Sequence, residues 1–353
     1  MDSNNFILFF SLIGINLFFY KYLLLILNKH NPKLLIDDQF TKPQAFHEFP
    51  ISIAGGICIF FSLFIVYFDF LLFKNIIFLE YISFCTLFFI LGLIDDIKVN
   101  IKPITRLALM IIFLIVLVKY NGFYIDKTGI EFLNNWIESS KIFSLIFVCL
   151  CFLFVVNGAN LIDGYNGLLG FHSLIILVNL FLINYLNENS SLASLLFFGI
   201  LILIIFLIFN FPKAKIFLGD SGSYLLGTFI AISVIKTSMA NSTISPFYFC
   251  ILLFYLFFEV FFSFFRKLFK EKKPPLHPDD KHLHMLLYKF LVKKNGDNLK
   301  SNYLVSIIVN LIYLTLTIPA IIMMKDGTFC KYYSLVFFIF YFFSYRIAHA
   351  KTK

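Results

Sequence analysis

Apolar residues follow one another along this chain in long runs that short polar stretches interrupt. Eleven such runs are candidate membrane spans, at positions 6–27, 51–73, 76–94, 104–118, 142–156, 168–186, 192–211, 224–235, 246–265, 303–324 and 332–348. Several approach the roughly 20 residues that a helix needs to cross about 30 Å of hydrocarbon, where a helix satisfies its own backbone polar groups. The pattern therefore predicts an all-α polytopic membrane protein with about eleven transmembrane helices.

Three of these runs, starting at Ile104, Ile142 and Tyr224, are short for a membrane-spanning helix. Each adjoins a polar motif, so we expect the three helices to extend into the motifs. The first run of the chain has no Lys or Arg before it and no small-residue cleavage pattern after it. It therefore reads as a retained helix and not as a signal peptide.

The composition agrees with a membrane setting, since 60% of the residues are hydrophobic and only 14% are charged. The 51 phenylalanines predict lipid-facing packing. The six cysteines lie in or beside apolar runs without CxxC spacing, so we expect free thiols and no metal cage.

Lys and Arg are distributed unequally between the two sets of alternate loops. One set and its tail hold 21 of them and the opposite set holds 7; the richer set comprises 28–50, 95–106, 157–167, 210–221, 265–301 and the tail from Arg346. Short cytoplasmic loops carry such an excess, which predicts the N-terminus outside and the C-terminus in the cytoplasm. Most of the net charge of +9 then faces anionic lipid headgroups. The sequence contains no basic stripe with interleaved aromatic residues of the kind that binds nucleic acid. We treat residues 1–353 as a single membrane domain.

The loops of the predicted cytoplasmic face also hold most of the unusual polar residues. The first contains Lys42 and His47 in "KPQAFHEFPISIAGGI", which ends near the adjacent pair Gly55 and Gly56. Adjacent glycines allow a close backbone approach to a ligand or to another helix. This motif alone is a weak indication of a site.

A pair of carboxylates, Asp95 and Asp96, follows the third apolar run in "LGLIDDIKVNIKPITRL". Adjacent carboxylates repel, and a divalent cation or a cationic side chain is the simplest relief. Lys98, Lys102 and Arg106 come next, as a phosphate-binding site requires. The alternative is a charge cluster at the membrane interface that fixes the topology.

Asn157, Asn160 and Asp163 recur every three residues in "NGANLIDGYNGLLG". On a helix this spacing places them on one face. Amide and carboxylate oxygens are the ligands that Mg²⁺ prefers, with positions left open for substrate phosphate. The motif predicts a metal site, and a polar helix end is the alternative.

Asp220 lies between Gly219 and Ser221 in "NFPKAKIFLGDSGSYLLG", just before a predicted helix. An Asp at such a place is often only an N-cap. Lys213 and Lys215 in the same loop favour a phosphate-binding role.

The loop 265–301 is long and basic, and it contains "KEKKPPLHPDDKHLHMLLYKFLVKK". Its apolar residues after Pro278 follow i, i+3, i+4, i+7, i+8 spacing, so we expect an amphipathic helix in the membrane interface. His282 and His284 are two residues apart and so should not share a helix face, which argues against a helix-borne zinc pair. They are then either hydrogen-bond donors to phosphate oxygens or simply interfacial histidines.

Four motifs, "GLIDDIK", "NGANLIDGYNGL", "FNFPKAKIFLGDSGS" and "HPDDKHLH", together resemble those of the polyprenyl-phosphate N-acetylhexosamine-1-phosphate transferases of the glycosyltransferase 4 family. The resemblance spans residues 30 to 300. It implies transfer of a sugar-1-phosphate from a UDP-sugar to polyprenyl (undecaprenyl) phosphate, with release of UMP, to start a lipid-linked cell-surface glycan. The chain looks more like the enzymes that start O-antigen, enterobacterial common antigen or teichoic-acid chains than like the peptidoglycan translocase, which has a longer histidine run.

The resemblance also implies the setting of the enzyme. The partners are a UDP-N-acetylhexosamine, polyprenyl phosphate and the lipid bilayer, with no nucleic acid, and a homodimer remains open. The cofactor is Mg²⁺, with Mn²⁺ as an alternative. The active site is expected on the cytoplasmic face of the inner membrane.

Site residues carry over from the family only where its motifs match this sequence. The expected catalytic residues are Asp95, Asp96, Asp163, His282 and His284. The expected substrate-binding residues are Lys42, His47, Lys102, Arg106, Asn157, Asn210 and Phe217. The expected metal ligands are Asn160 and Asp220.

The resemblance further implies what several of these residues contact. The aspartate pair accompanies the lipid phosphate, and one of the two assists its deprotonation or orientation. Asn210 and Phe217 hold uracil by hydrogen bonding and stacking, and the two histidines hold the diphosphate.

The sequence departs from the family pattern at three positions. Asn166 stands where many relatives have a second Asp, so it cannot act as a base here. Met285 replaces a third histidine, and Ser52 replaces a usual Pro.

Two other functions are compatible with parts of the pattern. Eleven spans suit a secondary transporter, and Glu259, deep in an apolar run, favours that alternative. The halves show no internal repeat, however, and the carboxylates gather at one interface. A CDP-alcohol phosphotransferase is disfavoured because its spaced DG…AR…G…D…D signature is absent.

Overall fold

A computed structural model describes residues 3–30, 35–37, 50–99, 101–275 and 279–352, and most of these residues are helical. The first seven helices are α1 (Ser3–His30), α2 (Gly55–Lys74), α3 (Leu79–Asp96), α4 (Pro103–Asn121), α5 (Glu131–Ser139), α6 (Lys141–Ile162) and α7 (Leu168–Leu186). The remaining seven are α8 (Ser190–Asn210), α9 (Gly219–Ala240), α10 (Pro246–Leu252), α11 (Phe254–Phe265), α12 (Leu283–Asn295), α13 (Asn298–Ile322) and α14 (Gly327–Thr352). A π-helical turn, Arg266–Glu271, continues α11.

Within the described ranges, eight helices are long and apolar enough to cross a membrane: α1, α2, α4, α6, α7, α8, α9 and α13. The bent pair of α10 and the helix that begins with α11 makes a ninth. The more polar α3 and α14 are not among them, although each also coincides with one of the eleven apolar runs. The chain is therefore an all-α, multi-pass membrane protein, as predicted. The number eleven and the orientation stay predictions.

The run 246–265, which we expected to form one continuous span, is broken at Leu253. There the chain bends by 73° between α10 and α11. The Leu253 backbone leaves helical geometry, with φ −103° and ψ 2°, although neither Pro nor Gly stands at the break. The Tyr313 hydroxyl donates a hydrogen bond to the carbonyl oxygen of Leu252, so a side chain inserts at the interrupted helix ladder.

Helix α9 is the central helix of the bundle. In its most apolar stretch 78% of the residues are buried, compared with 22% in the corresponding stretch of α1. It packs against α2, α3, α6 and α7. Large apolar residues such as Phe18, Phe61 and Phe68 are instead exposed on α1 and α2. This agrees with the expectation that many phenylalanines face lipid.

A short backbone ladder holds the segment before α9 against the start of α2. Strand β1 (Ile36–Asp37) pairs antiparallel with β2 (Ile51–Ser52), Ile36 facing Ser52. The Phe217 N–H donates to the Ser52 carbonyl at 2.7 Å, and the Gly55 N–H donates back to the Phe217 carbonyl at 2.9 Å. The ladder fixes where α9 begins.

The six cysteines are free thiols, as expected.

Candidate active site

The helices that carry the polar motifs extend into those motifs, as the short apolar runs predicted. Helix α6 continues through Asn157 and Asn160 to Ile162. Helix α9 already begins at Gly219, so Asp220 lies in its first turn and is not its N-cap residue. Asp163 follows the end of α6 with φ −78° and ψ 63°, so the expectation of three residues on one helical face holds only for the two asparagines.

Asp96, at the end of α3, caps the N-terminus of α9. Its Oδ1 accepts a hydrogen bond from the Asp220 N–H at 2.8 Å, and its Oδ2 accepts one from the Ser221 N–H at 2.9 Å. The first N–H groups of a helix lack partners within the helix, and a carboxylate there also meets the positive end of the helix dipole. Asp96 is buried, at 6% exposure. Both carboxylate oxygens of Asp96 therefore bind backbone N–H groups of α9, a role that the sequence did not indicate.

Two glycines allow this close approach of α3 to α9. A Cβ on Gly92 would lie 2.4 Å from the Asp220 carbonyl oxygen. A Cβ on Gly219 would lie 2.6 Å from an Asp96 oxygen, and Gly219 also has φ +73°, a value that favours glycine. Any larger side chain at these positions would push the cap away from the helix that it holds.

Arg106, in the first turns of α4, lies between two carboxylates. Its guanidinium forms an ion pair with Asp95, and the same nitrogen is 3.4 Å from Oδ2 of Asp220. The guanidinium carbon is 5.8 Å from the centre of the Tyr224 ring. Cationic relief of the Asp95 and Asp96 pair was one expectation for this motif, and Arg106 supplies it for Asp95. Asp95 thus faces side chains, whereas Asp96 faces backbone.

Asn160 joins α6 to the same place. Its Nδ2 donates to Oδ1 of Asp220 at 2.7 Å and to the Ser223 hydroxyl at 2.9 Å. Asn157 lies one turn earlier and instead donates to the Leu153 carbonyl in its own helix, at 2.8 Å. Asn160 and Asp220 are therefore in contact, and Asn157 is not bound to either.

The carboxylate cluster consists of Asp95, Asp96, Asp163 and Asp220. Burial raises the pKa of Asp163 well above its usual range, and the nearby charges of Asp220 and Asp96 raise it further. Arg106 contacts two of these four acidic groups, Asp95 and Asp220, so the region favours an additional positive charge.

The cluster suits Mg²⁺ by the chemistry of its donors. Across the described ranges, no three His, Cys, Asp or Glu side chains are grouped closely enough to hold a metal ion by themselves. Mg²⁺ usually takes only one or two carboxylates from a protein, together with waters and substrate phosphates. Asp220 and the neighbouring amide of Asn160 fit that smaller requirement.

Asn210, expected at uracil, braces two loops. Its Oδ1 accepts from the Gly167 N–H at 2.6 Å, and its Nδ2 donates to the Ile216 carbonyl at 2.8 Å. Both polar groups of this buried side chain are used within the protein. The backbone of the neighbouring Phe217 lies in the ladder to Ser52 and Gly55, and its side chain is half-buried.

The departure at Asn166 has a structural counterpart. Its Nδ2 donates to the Pro212 carbonyl at 2.8 Å, and its N–H donates to Oδ1 of Asn302 at 2.8 Å. An ionised Asp has no donor for the Pro212 carbonyl, so the amide suits this loop. Met285, at the second departure, is buried in α12.

The predicted basic substrate contacts are placed unequally. Lys102 is exposed at the start of α4, and its carbonyl accepts from the Arg106 N–H at 3.1 Å. Lys42 and His47 lie outside the described residues.

The two histidines meet at Glu259 of α11, in contrast to what their spacing suggested. His282 precedes α12 with ψ 151° and is not helical, so helix geometry does not separate the two side chains. Their rings stack, with centroids 5.6 Å apart and 6° between the planes. Nδ1 of His282 is 3.0 Å from Oε2 of Glu259, and Nδ1 of His284 is 3.9 Å from Oε1. The sequence signal for Glu259, a carboxylate within an apolar run, had instead favoured transport.

We call Glu259, Asp279, His282 and His284 the histidine cluster. Burial alone would raise the pKa of Asp279, but His282, the Lys281 N–H and further cations lower it to about 2. Burial lowers the pKa of His284 to about 4. The sequence pattern had not indicated a role for Asp279.

Tyr165 connects this cluster to the loop that carries Asp163. Its ring packs edge-on against His284, with centroids 5.7 Å apart, and lies 5.3 Å from the ring of Tyr288 in α12. Tyr165 stands two residues after Asp163, so the two motifs are neighbours in space. A helix, α12, occupies the expected segment and packs on α13 and α14; its amphipathic character stays a prediction. Its location in the membrane interface stays a prediction.

Comparison with known proteins places part of the chain in a family. Residues 78–238 match the family model described as glycosyl transferase family 4. The matched segment contains all four residues of the carboxylate cluster. The histidine cluster lies beyond it.

Individual relatives match over similar segments. A phospho-N-acetylmuramoyl-pentapeptide-transferase of Dictyoglomus turgidum is 40% identical over 157 residues, which are 42% of this chain and 50% of the relative. An undecaprenyl-phosphate alpha-N-acetylglucosaminyl 1-phosphate transferase of Thermotoga maritima is 34% identical, covering 39% of this chain and 41% of the relative. A probable undecaprenyl-phosphate N-acetylglucosaminyl 1-phosphate transferase of Bacillus subtilis is 29% identical, covering 57% and 55%. The chain thus spans about half the length of the curated relatives it matches.

Proposed function

We propose, because residues 78–238 match the model of glycosyl transferase family 4, that the protein transfers a sugar-1-phosphate, an N-acetylhexosamine-1-phosphate, from a UDP-sugar to polyprenyl phosphate. A phosphate oxygen of the lipid attacks the sugar-linked phosphorus of the UDP-sugar. The bond between that phosphorus and the bridging oxygen breaks, and the oxygen leaves with UMP. The lipid product keeps the sugar and both phosphates of the new diphosphate.

The meeting of Asp95, Arg106, Asn160 and Asp220 carries this proposal. These side chains come from α3, α4, α6 and α9 and bond to one another at one end of the bundle. The reaction brings two phosphate groups together, so catalysis depends on positioning and on neutralising negative charge. The reaction therefore requires carboxylates that can bind a metal ion and a guanidinium that can bind phosphate, and this group of side chains contains both.

The adjacent residues Asp95 and Asp96 have different roles. Asp95 faces the side chain of Arg106 and assists or orients the lipid phosphate. Arg106 then exchanges its ion pair with Asp95 for a contact to a phosphate oxygen. Asp96 holds the first turn of α9 and so holds Asp220 in place. On this account Asp95 contacts substrate and Asp96 is a positioning residue.

Asp220 holds Mg²⁺, with Asn160 and Asp163 as further ligands or orienting groups, and Mn²⁺ is an alternative ion. When bound, the ion supplies positive charge to the diphosphate. The Ser223 hydroxyl and the Asp220 carboxylate fix the amide of Asn160 from two sides.

The remaining predicted residues hold the nucleotide-sugar. His282 and His284 contact the diphosphate, and Asn210 and Phe217 shape the uracil site. We assign Lys102 to phosphate capture because it is exposed beside Arg106. Asn157, Lys42 and His47 keep a proposed substrate-binding role.

The setting follows from charge and family. We place the site on the cytoplasmic face of the inner membrane, where UDP-sugars are available, and leave a homodimer open. The names of the relatives include both a phospho-N-acetylmuramoyl-pentapeptide transferase and an N-acetylglucosaminyl 1-phosphate transferase, so assays with a panel of UDP-sugars are needed to identify the donor.

A membrane assay tests the proposal. Protein in detergent or nanodiscs receives polyprenyl phosphate, Mg²⁺ and each UDP-N-acetylhexosamine in turn, and released UMP is measured. We expect UMP only when both substrates are present, and roughly 10²- to 10³-fold slower release from Asp220→Asn. The matched control is Asp126→Asn, at an exposed loop residue outside the site. UMP release that is independent of polyprenyl phosphate would refute the proposal.

A further inference from the structure

Glu259 is a completely buried carboxylate inside an apolar helix. Burial of a charge is unfavourable unless the charge is paired and hydrogen-bonded, and ionisable residues within membrane helices mark functional positions. Glu259 has partners for both of its oxygens. Oε2 lies 3.0 Å from Nδ1 of His282, and Oε1 accepts from the Leu283 N–H at 3.2 Å. The carboxylate therefore holds both a ring and the backbone at the start of α12.

His282 has a carboxylate on each side of its ring, at unequal distances. The contact from Nδ1 to Glu259 is 3.0 Å, and the contact from Nε2 to Oδ1 of Asp279 is 3.5 Å. A 3.5 Å contact is at the weak end of hydrogen bonding. The ring is thus fixed through Nδ1, and Nε2 is the nitrogen that can change partner.

Asp279 would keep other hydrogen-bond and ion-pair partners if Nε2 of His282 moved away. Arg266 contacts it at 2.9 Å, Lys267 at 3.3 Å, and the Lys281 N–H donates to it at 3.0 Å. Three other donors therefore remain with Asp279 when Nε2 of His282 turns to another acceptor.

We propose that Glu259 is the positioning residue of the histidine cluster, holding His282 through Nδ1 so that Nε2 exchanges Asp279 for an oxygen of the UDP-sugar diphosphate. This rests on the proposed function and assigns Glu259 a part in nucleotide-sugar binding. Glu259 itself touches no substrate. Its role needs two acceptor oxygens, one for the ring and one for the Leu283 N–H.

Three substitutions separate this role from simple packing. Glu259→Gln keeps the shape but offers one acceptor oxygen, so one donor loses its partner. Glu259→Asp keeps two acceptors on a shorter side chain. The control is Glu80→Gln, which removes the same charge from the start of α3, where Glu80 pairs with Lys236.

Steady-state kinetics should show a selective effect. We expect Glu259→Gln to lower kcat/KM for the UDP-sugar about 10- to 100-fold, the range for residues that orient a contacting side chain. The KM for polyprenyl phosphate should stay unchanged, Glu259→Asp should recover part of the loss, and Glu80→Gln should match the wild type. If Glu259→Gln does not accumulate in membranes, Glu259→Asp is measured in its place, with a smaller fall in the same constant expected.

A double-mutant cycle tests whether Glu259 acts through His282. In a His282→Gln background, adding Glu259→Gln should change kcat/KM by less than about twofold, because the coupled partner is already absent. Multiplication of the two separate losses would overturn the proposal. In ¹⁵N spectra of histidine-labelled protein, the Nδ1 signal that His282→Gln removes should shift in Glu259→Gln and not in Glu80→Gln.

The kinetic results distinguish a wrong proposed function from a wrong role for Glu259. An inactive wild type with every UDP-sugar contradicts the proposed function. An active wild type whose Glu259→Gln variant retains full kcat/KM for the UDP-sugar contradicts the role of Glu259 alone.

Discussion

The carboxylate cluster and the histidine cluster are built in opposite ways. The first is assembled from helix ends, where Asp96 caps α9 and glycine allows α3 to approach it. The second lies where a loop enters α12, and one buried carboxylate, Glu259, gathers two histidines around it. In the first, acidic groups gather around a cation, and in the second, imidazoles gather around an acid.

Under the proposed function, the two clusters would contact groups of opposite charge. An acidic group of side chains suits a metal ion and a phosphate-neutralising arginine, and an imidazole pair suits the diphosphate. The difference in construction also predicts how each cluster fails. Changes that disturb the Asp96 cap of α9 should affect the helix bundle as well as catalysis, whereas changes in the histidine cluster should stay local.

Removal of the Asp220 charge should have the largest effect. Asp220 contacts Arg106 through Oδ2 and Asn160 through Oδ1, so Asp220→Asn removes the charge and leaves one acceptor oxygen for these two donors. We expect activity to fall roughly 10²- to 10³-fold, as when a preorganised electrostatic group is lost. UMP release measures this, and Asp126→Asn should be unaffected. Equal activity of the two variants would remove Asp220 from the site.

The adjacent pair, Asp95 and Asp96, provides the sharpest comparison within one cluster. Asp95→Asn should reduce activity and leave stability unchanged, because Asp95 faces Arg106. Asp96→Asn should lower both, since it weakens a helix cap worth about 0.5–2 kcal/mol. Unfolding in detergent and UMP release are measured on both proteins. Identical stability of the two variants would contradict the division of roles.

The close contact of α3 and α9 can be tested without touching a carboxylate. In Gly92→Ala the new Cβ would meet the Asp220 carbonyl at 2.4 Å, so we expect a loss of about 1–3 kcal/mol from overpacking and reduced activity. Gly14→Ala in α1 is the matched control, because no described heavy atom outside its own helix lies within 4 Å of its Cβ position. A harmless Gly92→Ala would show that the cap tolerates displacement.

The histidine cluster should respond to pH in a modest and local way. Since burial lowers the pKa of His284 from 6.5 to about 4, the unfolded chain binds the extra proton between these values. Stability should therefore fall as the pH is lowered through this window, by at most about 1.4 kcal/mol per pH unit. Denaturation of wild type and His284→Asn at several pH values measures this. A slope that His284→Asn leaves unchanged would exclude His284 as its cause.

The helices were predictable because a membrane helix is specified locally, by a run of apolar residues and the polar residue that ends it. The extension of α6 through Asn160 and of α9 back to Gly219 follows from the minimum length of such a helix. The break at Leu253 was not predictable, because neither Pro nor Gly stands there and a hydroxyl from α13 occupies the interruption.

The sequence indicated candidate site residues but not their contacts with one another. That Asp96 caps α9 depends on a contact across 124 positions of the chain, which spacing cannot reveal. The spacing of His282 and His284 misled for a different reason, since the helix starts one residue after His282. Glu259 was visible as a carboxylate in an apolar run, and only packing against α12 distinguishes a histidine-holding role from transport.

The most direct test of the central claim follows the phosphorus atoms. A UDP-N-acetylhexosamine labelled with ³²P in the sugar-linked phosphate is incubated with the protein, polyprenyl phosphate and Mg²⁺, and lipid and water phases are separated. The account predicts that the label enters the lipid phase in equal amount to the UMP released into water. Label that remains in the aqueous phase while UMP appears would contradict transfer of the sugar phosphate to the lipid.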